Sequence, residues 1–579
     1  MSSDTRILGI EGTAWAASAA VFDGATDDVF IESDAYEPDS GGIHPREAAE
    51  HMHDAIPRVV ETALEHAHNT FDGPADEAPI DAVAFSQGPG LGPCLRIVGT
   101  AARALSQALE VPLVGVNHMV AHLEIGRHTS GFDSPVCLNA SGANAHLLAY
   151  RNGRYRVLGE TMDTGVGNAI DKFTRHVGWT HPGGPKVEAA AEDGQYIDLP
   201  YVVKGMDFSF SGIMSAAKQA HDGVSASSAS GGSSDERRES DGGTPIEDIC
   251  FSLQENIFGM LTEVAERALS LTGSDELVLG GGVGQNARLR EMLEAMCDQR
   301  GADFHAPEPR FLRDNAGMIA VLGAKMYDAG ETLALEDSRV DPNYRPDQVP
   351  VVWRTDEPEL AVGRADGETQ VRGAEALVSL DPDAGRVTKR RESKTYRHPE
   401  LDERLRRERT TLEARLTSLA RREGVPTPVL SDVDPLEARL ELEYVGDADL
   451  RDALTAERVR DVGRHLARLH RAGFVHGDPT TRNVRVGRHD GSSEERSANS
   501  REPDPNRTFL IDFGLGYHTD HVEDYAMDVH VFDQSLVGTA DDPEPLREAV
   551  REGYREIGEE SVLERLRDVE GRGRYVDST

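Results

Sequence analysis

The chain reads as an α/β protein of two similar lobes around a nucleotide cleft, followed by a smaller α+β domain. Three observations predict this. Short apolar runs alternate with helix-period segments through roughly residues 5–353. Two of those runs fold back through glycine turns of like design, "GIEGT" and "NASGANA", as twin lobes would. A polar stretch at 355–370, "TDEPELAVGRADGETQ", then separates this glycine-rich part from an arginine-rich one. The expected domains are therefore 1–354 and 371–579, joined by a 355–370 linker.

Taken in order, "RILGIEGTAWAASAAVFD" reads as strand, turn, strand. "IDAVAFSQGPGLGPCLRIVGTAARALSQALEVPLVGV" reads as strand, Gly-Pro loop, helix, strand. "GVNHMVAHLEIGRH" follows as a helix with His118 and His122 one turn apart on one face. "PVCLNASGANAHLLAYRNGRYRVLGE" is the second hairpin, and "DELVLGGGVGQNARLREMLEAMCDQRG" is strand, glycine loop, helix. Two Ser/Gly/acid-rich tracts, 221–244 and 487–507, read as inserted surface loops.

The 61 basic residues face 102 acidic ones, a net charge of −41, and only seven of the 61 are lysine. Such acidity keeps a protein dispersed in concentrated salt, so a halophilic source is expected. Net charge does not exclude a nucleic-acid partner, since binding depends on local patches. Cys94, Cys137, Cys250 and Cys297 form no CxxC pair, which argues against a disulfide scaffold or thiolate zinc site. No run approaches the roughly 20 apolar residues of a membrane span, and no signal peptide is apparent at the start. A cytoplasmic protein with no membrane partner is the expectation.

Glycine loops let backbone N–H groups approach anions, and "GPGLGP" at 88–93 and "GGGVGQN" at 280–286 both stand between a strand and a helix. Each is equally readable as a tight structural turn. Neither has Walker spacing. Together with the paired hairpins they resemble the phosphate and adenosine loops of the actin-like ATPase (ASKHA) superfamily. The blocks "GIEGTA", "SQGPGLGPCLRIVGTAARAL", "VNHMVAHLE", "GNAIDKF", "HPGGPKVE", "FSFSGI", "GGGVGQNARLR" and "RDNAGMIA" narrow the resemblance. They occur in the order of the archaeal/eukaryotic-type tRNA adenosine threonylcarbamoyltransferase, the catalytic subunit of the KEOPS complex.

From spacing alone, ordinary helix histidines are the better reading of His118 and His122, and Met119 stands where an HExxH metalloprotease needs glutamate. The resemblance implies instead that His118, His122 and Asp314 surround one metal, Fe(II), with zinc as the alternative; two imidazoles and a carboxylate suit either. Many relatives carry tyrosine where this chain has Asn139, so coordination number is an open expectation. The resemblance further implies transfer of a threonylcarbamoyl group from threonylcarbamoyl-AMP to the exocyclic amine of the adenosine beside a tRNA anticodon. It implies an adenylate pocket lined by Asn139, Ala140, Ser141, Gly142, Ala143, Asp171, Gly184, Glu188 and Asn286. His128 and His146 are expected to be structural or exposed.

In the C-terminal part, "FVHGDPTTRNVRV" sets Asp478 and Asn483 at the spacing of a kinase catalytic loop, and Asp512 begins Asp-Phe-Gly. Lys389 on a strand and Glu413 on the next helix complete the set. Phosphoryl transfer explains each choice: Lys389 neutralises phosphates, Glu413 holds it, Asn483 and Asp512 carry Mg(II) with ATP, and Asp478 is the base. Gly373 is all that remains of a glycine-rich loop, and 65 residues after Gly514 leave no room for a peptide-binding lobe. Residues 371–579 resemble the small atypical serine/threonine kinase of the KEOPS complex, so ATP hydrolysis coupled to tRNA modification alongside other KEOPS subunits is expected. Residues 386–422 hold 13 Lys/Arg against 6 Asp/Glu, and Tyr396 and His398 are interleaved. That pattern fits either a solvated helix face or a tRNA ridge built on Arg390, Arg391, Arg404, Arg406 and Arg407, helped by Arg572 and Arg574. The competing functions are a metalloprotease and a signalling protein kinase.

Overall fold

The computed structural model describes residues 4–36, 44–71, 78–142, 144–151, 153–223, 243–354, 370–487 and 507–570. The linker, most of the two inserted tracts, Ala143, Arg572 and Arg574 lie outside the described residues. The chain forms two compact units, one holding the described residues up to 354 except 203–208, the other holding 203–208 and those from 370.

In the first unit β1 (Arg6–Glu11) pairs antiparallel with β2 (Ala16–Asp23), and β2 with β3 (Asp28–Ala35). After α1 (Pro45–Thr70), β4 (Ala82–Gly88) lies parallel to β1; after α2 (Gly92–Leu109), β5 (Leu113–Asn117) lies parallel to β4. The order is β3-β2-β1-β4-β5. Beyond α3 (His118–Ser130) the plan repeats. β6 (Val136–Ala140), β7 (Ala145–Arg151) and β8 (Arg154–Glu160) form an antiparallel meander. Next come α4 (Val166–His176), α5 (Gly184–Ala191), the hairpin β9 (Val203–Lys204) and β10 (Asp207–Phe208), which groups with the second unit, then α6 (Ser211–His221) and α7 (Ile246–Thr272). Then β11 (Glu276–Gly280) lies parallel to β6 and, past α8 (Ala287–Arg300), β12 (Asp303–His305) parallel to β11. The order β8-β7-β6-β11-β12 repeats the first sheet strand for strand, direction included, so the two glycine hairpins are corresponding features of twin lobes. The chain continues through α9 (Pro309–Leu312) and α10 (Ala316–Asp328).

Continuous apolar runs explain the central strands, since β1 and β4 are covered on both faces and need no alternation. On α1 the buried Met52, Ile56, Val59 and Val60 recur at helical spacing and close one face of the first sheet. The other face receives α10, almost wholly apolar and buried. At Gly9 a β-carbon would lie 2.4 Å from the Ala316 carbonyl oxygen, so only glycine lets α10 seat directly on β1.

The second unit opens with the antiparallel sheet β13-β14-β15-β17-β16, formed by β13 (Gln370–Arg372), β14 (Ala376–Asp381), β15 (Arg386–Arg391), β16 (Leu430–Asp434) and β17 (Arg439–Glu443). Helix α11 (Pro399–Arg422) lies between β15 and β16 in sequence. The remainder comprises β18 (Ala448–Asp449), α12 (Ala456–Arg471), β19 (Phe474–Val475), β20 (Val484–Val486), β21 (Thr508–Leu510) and β22 (Tyr517–His518), then α13 (Val522–Thr539), α14 (Glu544–Arg555) and α15 (Glu560–Glu570). Val459, Val462, Leu466 and Leu469 of α12 meet Val550 and Tyr554 of α14 in its core. A small sheet with one long helix, then a mainly helical part, is the α+β plan expected of a reduced kinase-like domain. No helix of the described residues is long and apolar enough to cross a membrane.

Candidate metal and nucleotide sites

The Asn117 side chain accepts hydrogen bonds from the Met119 and Val120 amides at 3.0 and 3.1 Å and so caps α3. His118 is thereby the first helical residue and His122 lies one turn on; their rings meet edge to face with centroids 4.9 Å apart. Asp314 precedes Asn315, which caps α10. Its Oδ1 stands 3.4 Å from His118 Nε2 and 3.3 Å from His122 Nε2. One ligand atom from each residue falls within 4.8 Å of the others. Two imidazole nitrogens and a carboxylate oxygen converging so closely fit a divalent metal.

A fourth residue, unassigned from sequence, backs the triad. Glu11 ends β1, is fully buried, and places Oε2 3.2 Å from His118 Nδ1. It also accepts the Thr13 amide at 2.8 Å and the Ser86 hydroxyl. A carboxylate there favours a proton on Nδ1 and leaves Nε2 as the ring nitrogen that faces Asp314. Burial works against charge on His118, but Glu11 and Asp314 outweigh it and push its pKa up to about 10. Burial also opposes ionisation of Asp314, yet facing His118 and His122 hold its carboxyl far below the usual range. His122 is lowered, chiefly by burial. The signal in the sequence was a charged residue closing an otherwise apolar strand.

The pocket loops converge beside this cluster. Gly280 pairs with Asn139 across β11 and β6, which places the two glycine turns side by side. Gly281 has φ 85°, and a β-carbon there would lie 2.3 Å from the Ala140 carbonyl oxygen. Asn139 is buried, with Nδ2 3.4 Å from His146 Nε2 and Oδ1 without a hydrogen-bond partner among the described residues. Ser141 closes a tight turn onto the Asn144 carbonyl at 2.8 Å, and the Gly142 carbonyl accepts the Asn168 amide at 2.9 Å. Asp171 accepts the Gly183 amide at 2.8 Å, just before Gly184 opens α5. One turn into α5, Glu188 accepts the Ala287 amide at 2.9 Å, at the N-terminus of the α8 helix that Asn286 caps. His146 is buried, whereas His128 faces Asp27 at 2.9 Å.

The other glycine loop departs from the anion-cradle reading. In "GPGLGP" the Gly90 amide donates to the Pro342 carbonyl at 3.3 Å and the Leu91 amide to the Thr13 carbonyl at 2.9 Å. These two donors are thus engaged within the fold.

In the second unit Lys389 on β15 is buried, 2.9 Å from Glu413 Oε1 on α11 and 2.7 Å from Asp512 Oδ1. Asp512 sits at φ 65°, a left-handed conformation costly for a non-glycine residue and found at functional turns. Burial opposes its ionisation, but Lys389 and Arg391 hold its pKa at about 2. Asn483 Nδ2 donates to Asp478 Oδ2 at 3.0 Å, and both lie between β19 and β20. Asp528 of α13 accepts the His476 and Gly477 amides at 2.9 and 2.8 Å and so pins that loop. Gly373 forms part of the tight β13–β14 turn, its amide 2.9 Å from the Ala376 carbonyl.

The basic ridge is only partly at the surface. Arg391 is buried and paired with Glu413 at 2.7 Å, so it belongs to the interior beside Lys389 and not to a ridge. Sequence could not separate it from Arg390, because only the strand's alternation sends one inward. Tyr396 is likewise buried. Arg406 reaches Asp402 at 2.8 Å, and Arg404 is half-buried. Arg407 and Arg390 are exposed.

Comparison with known proteins places the site in a family. The family model described as tRNA N6-adenosine threonylcarbamoyltransferase matches residues 26–321. A Haloarcula marismortui protein named "Probable bifunctional tRNA threonylcarbamoyladenosine biosynthesis protein" is 66% identical over 98% of this chain and 100% of its own length. Like-named proteins of Halobacterium salinarum and Methanospirillum hungatei are 66% and 48% identical, covering 99% and 98% of this chain and 99% of each relative.

Proposed function

Because the chain belongs to the tRNA N6-adenosine threonylcarbamoyltransferase family, we propose that it is the bifunctional enzyme its full-length relatives are named for. Its first unit completes threonylcarbamoyladenosine in tRNA, and its second is an ATP-using kinase-type partner. The observation that carries the reading is the convergence of His118, His122 and Asp314 beside the paired glycine turns of β6 and β11.

The donor is threonylcarbamoyl-AMP and the acceptor the adenosine beside the anticodon. The acceptor's exocyclic nitrogen forms a bond to the carbamoyl carbon, the bond from that carbon to the phosphate oxygen breaks, AMP leaves, and the nitrogen loses a proton. Asp171 and Glu188 present carboxylates to hydroxyls and amines of the adenylate, and Asn139 to Gly142, Gly184 and Asn286 shape its pocket. His118, His122 and Asp314 would hold the metal, iron by preference with zinc as the alternative, which supplies Lewis acidity at the carbamoyl oxygen. Glu11 fixes the His118 tautomer, and the unpartnered Asn139 oxygen takes the place of the tyrosine other relatives carry. No nucleophilic side chain is needed.

In the second unit Lys389 and Gly373 bind ATP, Glu413 holds Lys389, Asn483 and Asp512 carry Mg(II), and Asp478 is the base. Residues 1–354 and 371–579 are the corresponding domains, acting in the cytoplasm with other KEOPS subunits. Incubation with threonylcarbamoyl-AMP and unmodified tRNA, followed by digestion to nucleosides, tests the transferase reading. Threonylcarbamoyladenosine is expected; an unmodified adenosine with full metal loading would refute it.

A further inference from the structure

Four residues beyond Glu11, on the turn between β1 and β2, the indole of Trp15 lies parallel to the ring of His181, with centroids 5.7 Å apart and planes within 6°. The rings come from opposite lobes of the first unit, Trp15 from the first sheet's hairpin and His181 from the turn between α4 and α5. His181 is held in place, its Nδ1 3.1 Å from Asp171 Oδ2. Trp15 is only partly covered, and its Nε1 stands 3.7 Å from where a β-carbon of Gly142 would be. The pair therefore borders the loops assigned to the adenylate. At the other end of the same hairpin, Glu11 touches His118. Four residues of backbone span at most about 14 Å, so one short turn carries both Trp15 and the carboxylate that touches His118.

Resting on the transferase reading, we infer that Trp15, backed by His181, is the stacking platform for the acceptor adenine of tRNA. An adenine whose exocyclic amine attacks the carbamoyl carbon must leave its own stack in the anticodon loop. An unstacked base needs another π-face, and aromatic side chains supply it. The polar groups around the pocket do not offer that face: Asp171, Glu188 and Asn286 are tied to backbone amides and suit hydroxyls and amines. Trp15 already accepts a flat heteroaromatic ring in parallel, on a hairpin that reaches the site of reaction.

Steady-state kinetics on the full, metal-loaded chain test this. Trp15→Ala should raise KM for tRNA about 10- to 100-fold with KM for threonylcarbamoyl-AMP changed less than about twofold. Trp15→Phe, which keeps a π-face, should recover most of the loss. A rise confined to KM for threonylcarbamoyl-AMP would assign the ring to the donor nucleotide and overturn the inference. A second measurement uses the chain carrying Trp179→Phe and Trp353→Phe, in which Trp15 is the one indole left of three. An unmodified anticodon stem-loop should quench its fluorescence, and the same stem-loop with an abasic acceptor position should not. Equal quenching by both, or by neither, refutes the platform. This titration needs no turnover, so it judges Trp15 even if no modified nucleoside forms, a result that would instead refute the transferase reading.

Discussion

Glu11 touches neither carbamoyl group nor phosphate in the proposed reaction, yet the orientation of His118 depends on it. Replacing it with glutamine keeps the shape and removes the charge that favours a proton on Nδ1. Metal affinity should then fall about 10- to 100-fold, as for other partners that orient a ligand. Competition with a chelator measures this, and an unaltered dissociation constant would show Glu11 to be a bystander. In the second unit Asp478→Asn should lower ATP hydrolysis at least about 100-fold, scored as phosphate release, with nucleotide binding retained. Helical periodicity puts His118 and His122 on one face, but their spacing alone favours ordinary histidines, and only the family resemblance of the surrounding motifs points to a metal. Glu11 was not legible in the sequence, since its partner lies 107 positions away and they meet only when α3 packs against the end of β1. The inward turn of Arg391 was hidden for a similar reason, because two adjacent arginines look alike until a strand points them to opposite faces.

Helix α3 carries more than the two histidines. Glu124, one residue beyond Leu123 and wholly buried, meets Lys325 of α10 at 2.7 Å, Arg354 and Arg127 at 3.3 Å each, and the Tyr155 hydroxyl. These contacts tie the helix bearing His118 and His122 to the helix that follows Asp314. Burial opposes ionisation of Glu124, but Lys325, Arg354 and Arg127 hold its pKa at about 2 against an ordinary 4.5. The folded-state value is depressed, so the stabilisation is complete above pH 4.5 and is lost as the pH falls toward 2. Glu124→Gln leaves three cations facing a neutral amide and should destabilise the first unit by about 3–5 kcal/mol at neutral pH. Denaturant unfolding at pH 7 and pH 3 would show it as a lower midpoint with a shallower acid dependence; an unchanged midpoint would count against the hub. The twin sheets themselves were legible, because each rests on a glycine hairpin and apolar runs that signal locally. The engagement of two "GPGLGP" amides was not, since their partners Pro342 and Thr13 lie far off in sequence.

Across the whole molecule, 102 acidic against 61 basic residues mean self-repulsion at low salt. The Debye length falls from about 10 Å at 0.1 M to about 3 Å at 1 M salt, so molar salt relieves that repulsion. The unfolding midpoint should rise steadily with KCl. The same salt weakens every phosphate contact a tRNA could make, because binding that releases counterions falls linearly in log–log form. A protein at home in concentrated salt therefore gains little from a broad basic face, and the structure agrees: Arg391 is buried and Arg406 is paired with Asp402. Arg390 and Arg407 remain as the exposed candidates among the five. If both contact phosphate, Arg390→Glu with Arg407→Glu should flatten the slope of log affinity against log KCl by about 2. The loss of affinity should be large at 0.2 M and small at 2 M KCl, while Trp15→Ala, which removes a stacking contact, should weaken binding similarly at both. Parallel salt lines for the arginine variant and the parent chain would remove the basic face from tRNA binding and leave base stacking to carry it.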